Sequence, residues 1–272
     1  MQKCDFTFNE KERSLSDLSP KIIGWLVLYV FLIIAAFYQG FIPLNTHMYF
    51  WSIFIPVCYI VPRNYYRSIN AGDSVTRGGS RLSDIMVFLF ISQICVVYLA
   101  AVGTMGFYRL YSGWDYGNAW EDKLFGQSQF ITDWFLSALF AYQAWLLLFA
   151  ILHKEFRTMD FLLHHTCVVA GSLISFMPFA QYYVLFSGLT EMTNVVLSVF
   201  DAFQYLGDDY KKKYPKLYVS SQALFGLLFY TIRLIYWPII AYSYFKSSFE
   251  AVLGKGPTPV PNFDRYRLLW KW

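Results

Sequence analysis

The sequence predicts an all-α polytopic membrane protein, a bundle of about seven transmembrane helices. Three observations carry that reading. Of 272 residues, 57% are hydrophobic and only 15% are charged, whereas a soluble domain carries about 25% charged residues. The apolar residues gather into runs close to the roughly 17–25 residues that a hydrocarbon core demands of a helix. The basic residues fall between those runs and divide unevenly between the two sides.

The length suits one domain, with no internal repeat and no low-complexity tract. Residues 1–21 form a polar N-terminal segment, with four acidic and four basic side chains. An Arg-rich, acid-poor transit peptide or a short basic signal start would look different, so no cleavage is expected. Residues 22–245 hold the apolar runs, at roughly 22–38, 48–62, 85–107, 132–152, 161–177, 182–203 and 218–245. The second is short and contains Pro56. The last is long, and Pro238 in its second half predicts a kink or tilt. Residues 246–272 form a tail in which Pro257, Pro259 and Pro261 favour extended chain. Its basic-aromatic end reads as an interface anchor or as a contact for a partner subunit.

Seven spans place the termini on opposite sides. Fourteen Lys and Arg then lie on the N-terminal side: in the N-terminal segment, after span two, after span four and after span six. Seven lie on the other side, and Arg233 is left inside span seven. The positive-inside rule puts the N-terminus in the cytosol, or in the matrix of a mitochondrion. A re-entrant second segment would spoil that bias. The net charge of +4 is modest and scattered through short loops, which gives no reason to expect nucleic acid as a partner. Cys4, Cys58, Cys95 and Cys167 show no CxxC spacing and read as small buried hydrophobes.

Polar residues inside the spans point to a site, because they are costly in hydrocarbon and face a bundle interior or a cavity. His164 and His165 are adjacent, three to four residues into span five. Asp201 falls near the same level of span six. Glu191, Asn194, Ser198 and Asp201 step by three, four and three, which places them on one inward face. Glu191 and Arg233 match in estimated depth, which predicts a buried ion pair; the alternative is a protonated Glu191 with Arg233 bonded to backbone carbonyls. A neutral imidazole can take a proton from an attacking hydroxyl or amine, or attack a thioester itself. Asp201, or Asp160 one turn before His164, is the expected carboxylate to fix its tautomer. The bland alternative is a pair of core histidines bonded to Ser, Thr or backbone. No HxxxH occurs, and His47 and His153 stand alone, so no metal and no cofactor are expected.

Three segments together resemble the TLC-domain family, which includes ceramide synthases and translocon-associated membrane proteins. They are KEFRTMDFLLHHTCVVAG (Lys154–Gly171), SGLTEMTNVVLSVFDAF (Ser187–Phe203) and ALFGLLFYTIRLIYWPII (Ala223–Ile240). The resemblance covers roughly residues 80–245. It implies a helical membrane bundle around a lipid-accessible cavity, with His164 and His165 at the catalytic positions of acyl transfer from acyl-CoA. The second ceramide synthase motif, HDxxDxxLE, is altered here. Its His is Thr190, its first Asp is Glu191 and its second is Asn194. The resemblance is therefore to the small TLC proteins linked to membrane-lipid composition.

Two functions follow as expectations. One is a lipid-handling protein that binds an acyl chain in the bundle, with membrane lipids as partners, acyl-CoA as a substrate and transfer at the His pair. The other is a non-catalytic accessory subunit of a large membrane complex. The endoplasmic reticulum and the mitochondrial inner membrane both fit. A transporter is disfavoured, because the spans lack repeat symmetry and paired broken helices.

Overall fold

The computed structural model describes residues 46–69, 80–112, 128–153, 156, 158–176 and 181–253. The expected first span, 22–38, and most of the tail lie outside them. Seven helices follow. They are α1 (Thr46–Ile69), α2 (Leu82–Tyr111), α3 (Ile131–Leu136 and Ser137–Leu152), α4 (Met159–Ile174), α5 (Gln181–Leu206), α6 (Asp208–Lys213) and α7 (Pro215–Leu228, Phe229–Tyr236 and Trp237–Val252). No strand occurs among the described residues.

The six expected spans from the second onward fall on α1, α2, α3, α4, α5 and α7. Three stretches, Leu82–Arg109, Ile131–Leu152 and Pro215–Lys246, are long and apolar enough to cross a membrane by length and composition alone. The doubtful second segment is a 24-residue helix that runs through both Pro56 and Pro62. Helix α4 has only 16 residues, or about 24 Å, which is less than a hydrocarbon core of about 30 Å.

Local chemistry sets the boundaries. The Thr158 hydroxyl caps α4 by accepting from the Phe161 N–H at 3.2 Å, which satisfies one of the open donors of the first turn. Gly207 has φ of +87° and separates α5 from α6, a conformation that costs a side chain but not glycine. Pro215 opens α7, where its missing N–H is no loss. Farther along α7, Phe229–Tyr236 is π-helical, and the Trp237 N–H reaches back to the Ile232 carbonyl. Pro238 lacks a donor, so the expected irregularity takes the form of a widened turn just before it.

Helices α2 and α5 form the most extensive contact, α1 packs on α3 and α2, α4 packs chiefly on α3, and α7 packs on α5. Gly103 and Gly188 make the tightest crossing. A Cβ on Gly188 would lie 2.2 Å from the Gly103 Cα. Small residues let membrane helices approach closely, where dispersion and not the hydrophobic effect holds them. Phe135, from the π-helical start of α3, packs over both glycines. The core also contains Ile55, Ile85, Leu99, Leu139 and Phe149, with Phe88 stacked on Phe149 at 3.7 Å.

At one end of the bundle, Asp84 is 2% exposed and accepts from Arg63 Nε and Arg67 Nε, each at 3.1 Å. This clasp joins the end of α1 to the start of α2. A buried carboxylate with two guanidinium partners replaces the solvation it has lost. Nearby, His153 bonds Ser80 through Nδ1 at 3.0 Å and Tyr59 through Nε2 at 3.3 Å. Of the cysteines, Cys95 is buried and Cys58 half-buried, but Cys167 is exposed. Its exposure corrects its reading as a buried hydrophobe. Cys4 lies outside the described residues.

Candidate functional site

The candidate polar residues lie on α4, α5 and α7. On α4, His165 is half-buried and its Nδ1 lies 2.5 Å from Gln143 Oε1 on α3. An amide oxygen only accepts, so Nδ1 carries the proton and donates it. In the neutral imidazole Nε2 then keeps its lone pair. The Phe161 ring, one turn earlier, packs on the His165 ring at 4.0 Å. His164 is exposed and stands edge-on to His165, with ring centroids 5.0 Å apart.

Neither expected carboxylate orients the imidazoles. Asp160 is exposed in the first turn of α4, where a negative charge favours the helix N-terminus. Asp201 is half-buried on α5 and has no hydrogen bond to either histidine. His165 bonds Gln143 instead.

The polar stripe of α5 is split between two neighbours. Ser198 donates to Gln93 on α2, on the side that also presents Gly188. Thr190, Thr193 and Asn194 turn toward α7. At about 100° per residue, the stripe is wide enough to meet two helices at once. The predicted direct Glu191–Arg233 ion pair is absent. Arg233 Nε donates to Thr193 Oγ1 at 2.9 Å, and Nη2 donates to Asn194 Oδ1 at 3.0 Å and to the Thr190 carbonyl at 3.4 Å. Asn194 Nδ2 in turn donates to Glu191 Oε2 at 2.9 Å. Glu191 is 4% exposed. Asn194 lies one turn on, between the two charges, and relays them.

Arg233 sits in the π-helical turn of α7, a device that often re-aims a side chain at a functional site. Tyr142 shares a hydrogen bond with Ser92. Glu191, Arg233, the His pair, Gln143 and Tyr142 are polar groups set within an apolar bundle. Sequence reasoning missed Gln143, Gln93, Thr190 and Thr193. The first two carried a legible signal, since a lone amide in an apolar run must find a partner.

These features define a polytopic membrane bundle with histidine and arginine among its polar groups. A TLC-domain family model matches residues 86–267, and the chain belongs to that family of membrane proteins. No curated protein and no solved structure matches it.

Proposed function

We propose that this protein handles an acyl lipid within its helix bundle and that His165 is its reactive group. The observation that carries the reading is the bond from His165 Nδ1 to Gln143. It fixes the tautomer that leaves Nε2 free as a base or nucleophile. In acyl transfer, Nε2 removes the proton of an acceptor hydroxyl or amine as that group attacks the thioester carbonyl of acyl-CoA. The new C–O or C–N bond replaces the C–S bond, and the thiolate takes up the proton. Exposed His164 supplies a second imidazole beside the first. Family membership supports a role in lipid metabolism or sensing. An endoplasmic reticulum or mitochondrial inner membrane suits this role, with the N-terminus facing cytosol or matrix.

The test is His165→Ala in the full-length protein, with folding checked by thermal unfolding in detergent. Loss of acyl transfer, and a changed cellular acyl-lipid profile, with the fold intact is expected. An unchanged profile would overturn the reactive role. A second reading, a non-catalytic subunit of a larger membrane complex, is favoured by α7. Leu217, Leu224, Leu227, Leu234 and Ile239 leave its face uncovered by the other described helices over most of its length. Purification in a stoichiometric complex would support that reading, and elution as a lone protein would exclude it.

A further inference from the structure

Arg233 contains more hydrogen-bonding capacity than the protein uses. A guanidinium has five N–H donors in a fixed fork. The Nε proton goes to Thr193 and the two Nη2 protons to Asn194 and the Thr190 carbonyl. The two Nη1 protons have no acceptor among the described residues. The three acceptors are neutral oxygens of α5, and the nearest carboxylate, Glu191, is engaged one hydrogen bond behind, by Asn194. A cation within a membrane span needs a counter-charge or a polar cage. Here the cage holds Nε and Nη2 and leaves Nη1 free. Arg233 is half-buried, so Nη1 can be approached, and its charge acts on His164 of α4.

We propose that the free Nη1 of Arg233 binds the anionic head of the acyl lipid. The shared chemistry is an anionic oxygen, from a fatty-acid carboxylate or from a lipid phosphate, which accepts a charge-assisted hydrogen bond from an Nη1–H. The bonds to α5 fix the planar guanidinium, which a lysine ammonium cannot reproduce. Thr190, Thr193 and Asn194 hold the guanidinium in place beforehand, so little side-chain entropy is lost on binding. The inference rests on the acyl-lipid reading above and adds the class of head group that the site accepts.

Native mass spectrometry of the full-length protein in detergent, in competition between oleate, oleyl alcohol and lysophosphatidate, separates the cases. Oleate or lysophosphatidate should be retained on the order of tenfold over oleyl alcohol, the scale of a charge-assisted hydrogen bond. Preference for oleate identifies a free carboxylate, and preference for lysophosphatidate a phosphate. Arg233→Gln should erase the ratio, and Arg233→Lys should reduce it. Retention of oleate and lysophosphatidate no better than oleyl alcohol by the unaltered protein, or an unchanged ratio in Arg233→Gln, would overturn the anion site while leaving acyl binding intact. Failure to retain any of the three would sink the acyl-lipid reading and this inference with it. The ligand series uses the unaltered protein, so the outcome stands even if Arg233→Gln does not fold.

Discussion

An imidazole in hydrocarbon can act as a base only if its proton sits on the nitrogen away from the substrate. At His165 a neutral amide arranges this. A carboxylate there would also hold the tautomer, but it would add a further charge to the bundle, besides Glu191 and Arg233, at several kcal/mol. Gln143→Leu removes the acceptor and leaves a partly buried N–H unpaired, at about 1–3 kcal/mol. It is expected to lower acyl transfer on the order of tenfold and to mix the two tautomers, which ¹⁵N shifts of labelled histidine report. Gln143→Glu keeps an acceptor and should retain the Nδ1–H tautomer. If Gln143→Leu leaves both activity and tautomer unchanged, the hydrogen bond is structural only. The same logic explains the relayed charges: one Asn bonds both Glu191 and Arg233 and fills the angular gap between them.

Helices α2 and α5 set the frame on which these groups are placed. Their crossing at Gly103 and Gly188 brings Ser198 to Gln93 and keeps Glu191 buried. A Cβ at Gly188 meets backbone at 2.2 and 2.9 Å, and backbone cannot rotate aside. Gly188→Ala should therefore destabilise by about 1–3 kcal/mol or more, the range of overpacking, and lower the unfolding temperature in detergent. Gly171→Ala on α4 is the control. Its Cβ meets nothing within 4 Å, and alanine favours helix by about 1 kcal/mol, so stability should hold or rise. Equal effects at the two glycines would mean that the crossing is not close. The clasp from Asp84 to Arg63 and Arg67 works on the same scale, joining α1 to α2 by charge where the glycines join α2 to α5 by contact.

At the scale of the whole molecule, apolar run length made α1 to α5 and α7 legible, and the residues around HH, Glu191 and Arg233 made the family legible. The site was legible only as a set of candidates. Sequence separation gives the direction of a residue around its own helix but not the rotation or height of the next helix. His165 therefore took Gln143 where Asp201 was expected, and Glu191 reached Arg233 only through Asn194. The clasp at Asp84 has a bearing on orientation too. Arg63 and Arg67 count toward the basic side, and the rule that sets topology counts Lys and Arg with little weight for acids. Their pairing with Asp84 should leave the orientation as read, with Lys211, Lys212 and Lys213 on the same side. In a cysteine-free background, Lys212→Cys should react with a membrane-impermeant maleimide applied to the cytosolic or matrix face of sealed vesicles. Ser112→Cys, at the far end of α2, should react from that face only after permeabilisation. Both positions are exposed, so access reports sidedness. The reverse pattern would invert the bundle and put the His pair near the opposite surface, out of reach of a cytosolic or matrix thioester. Labelling of both from one face would mean that an even number of spans lies between them, not the three (α3, α4 and α5) read here, and would return α4, the shortest of those three, to question as a crossing.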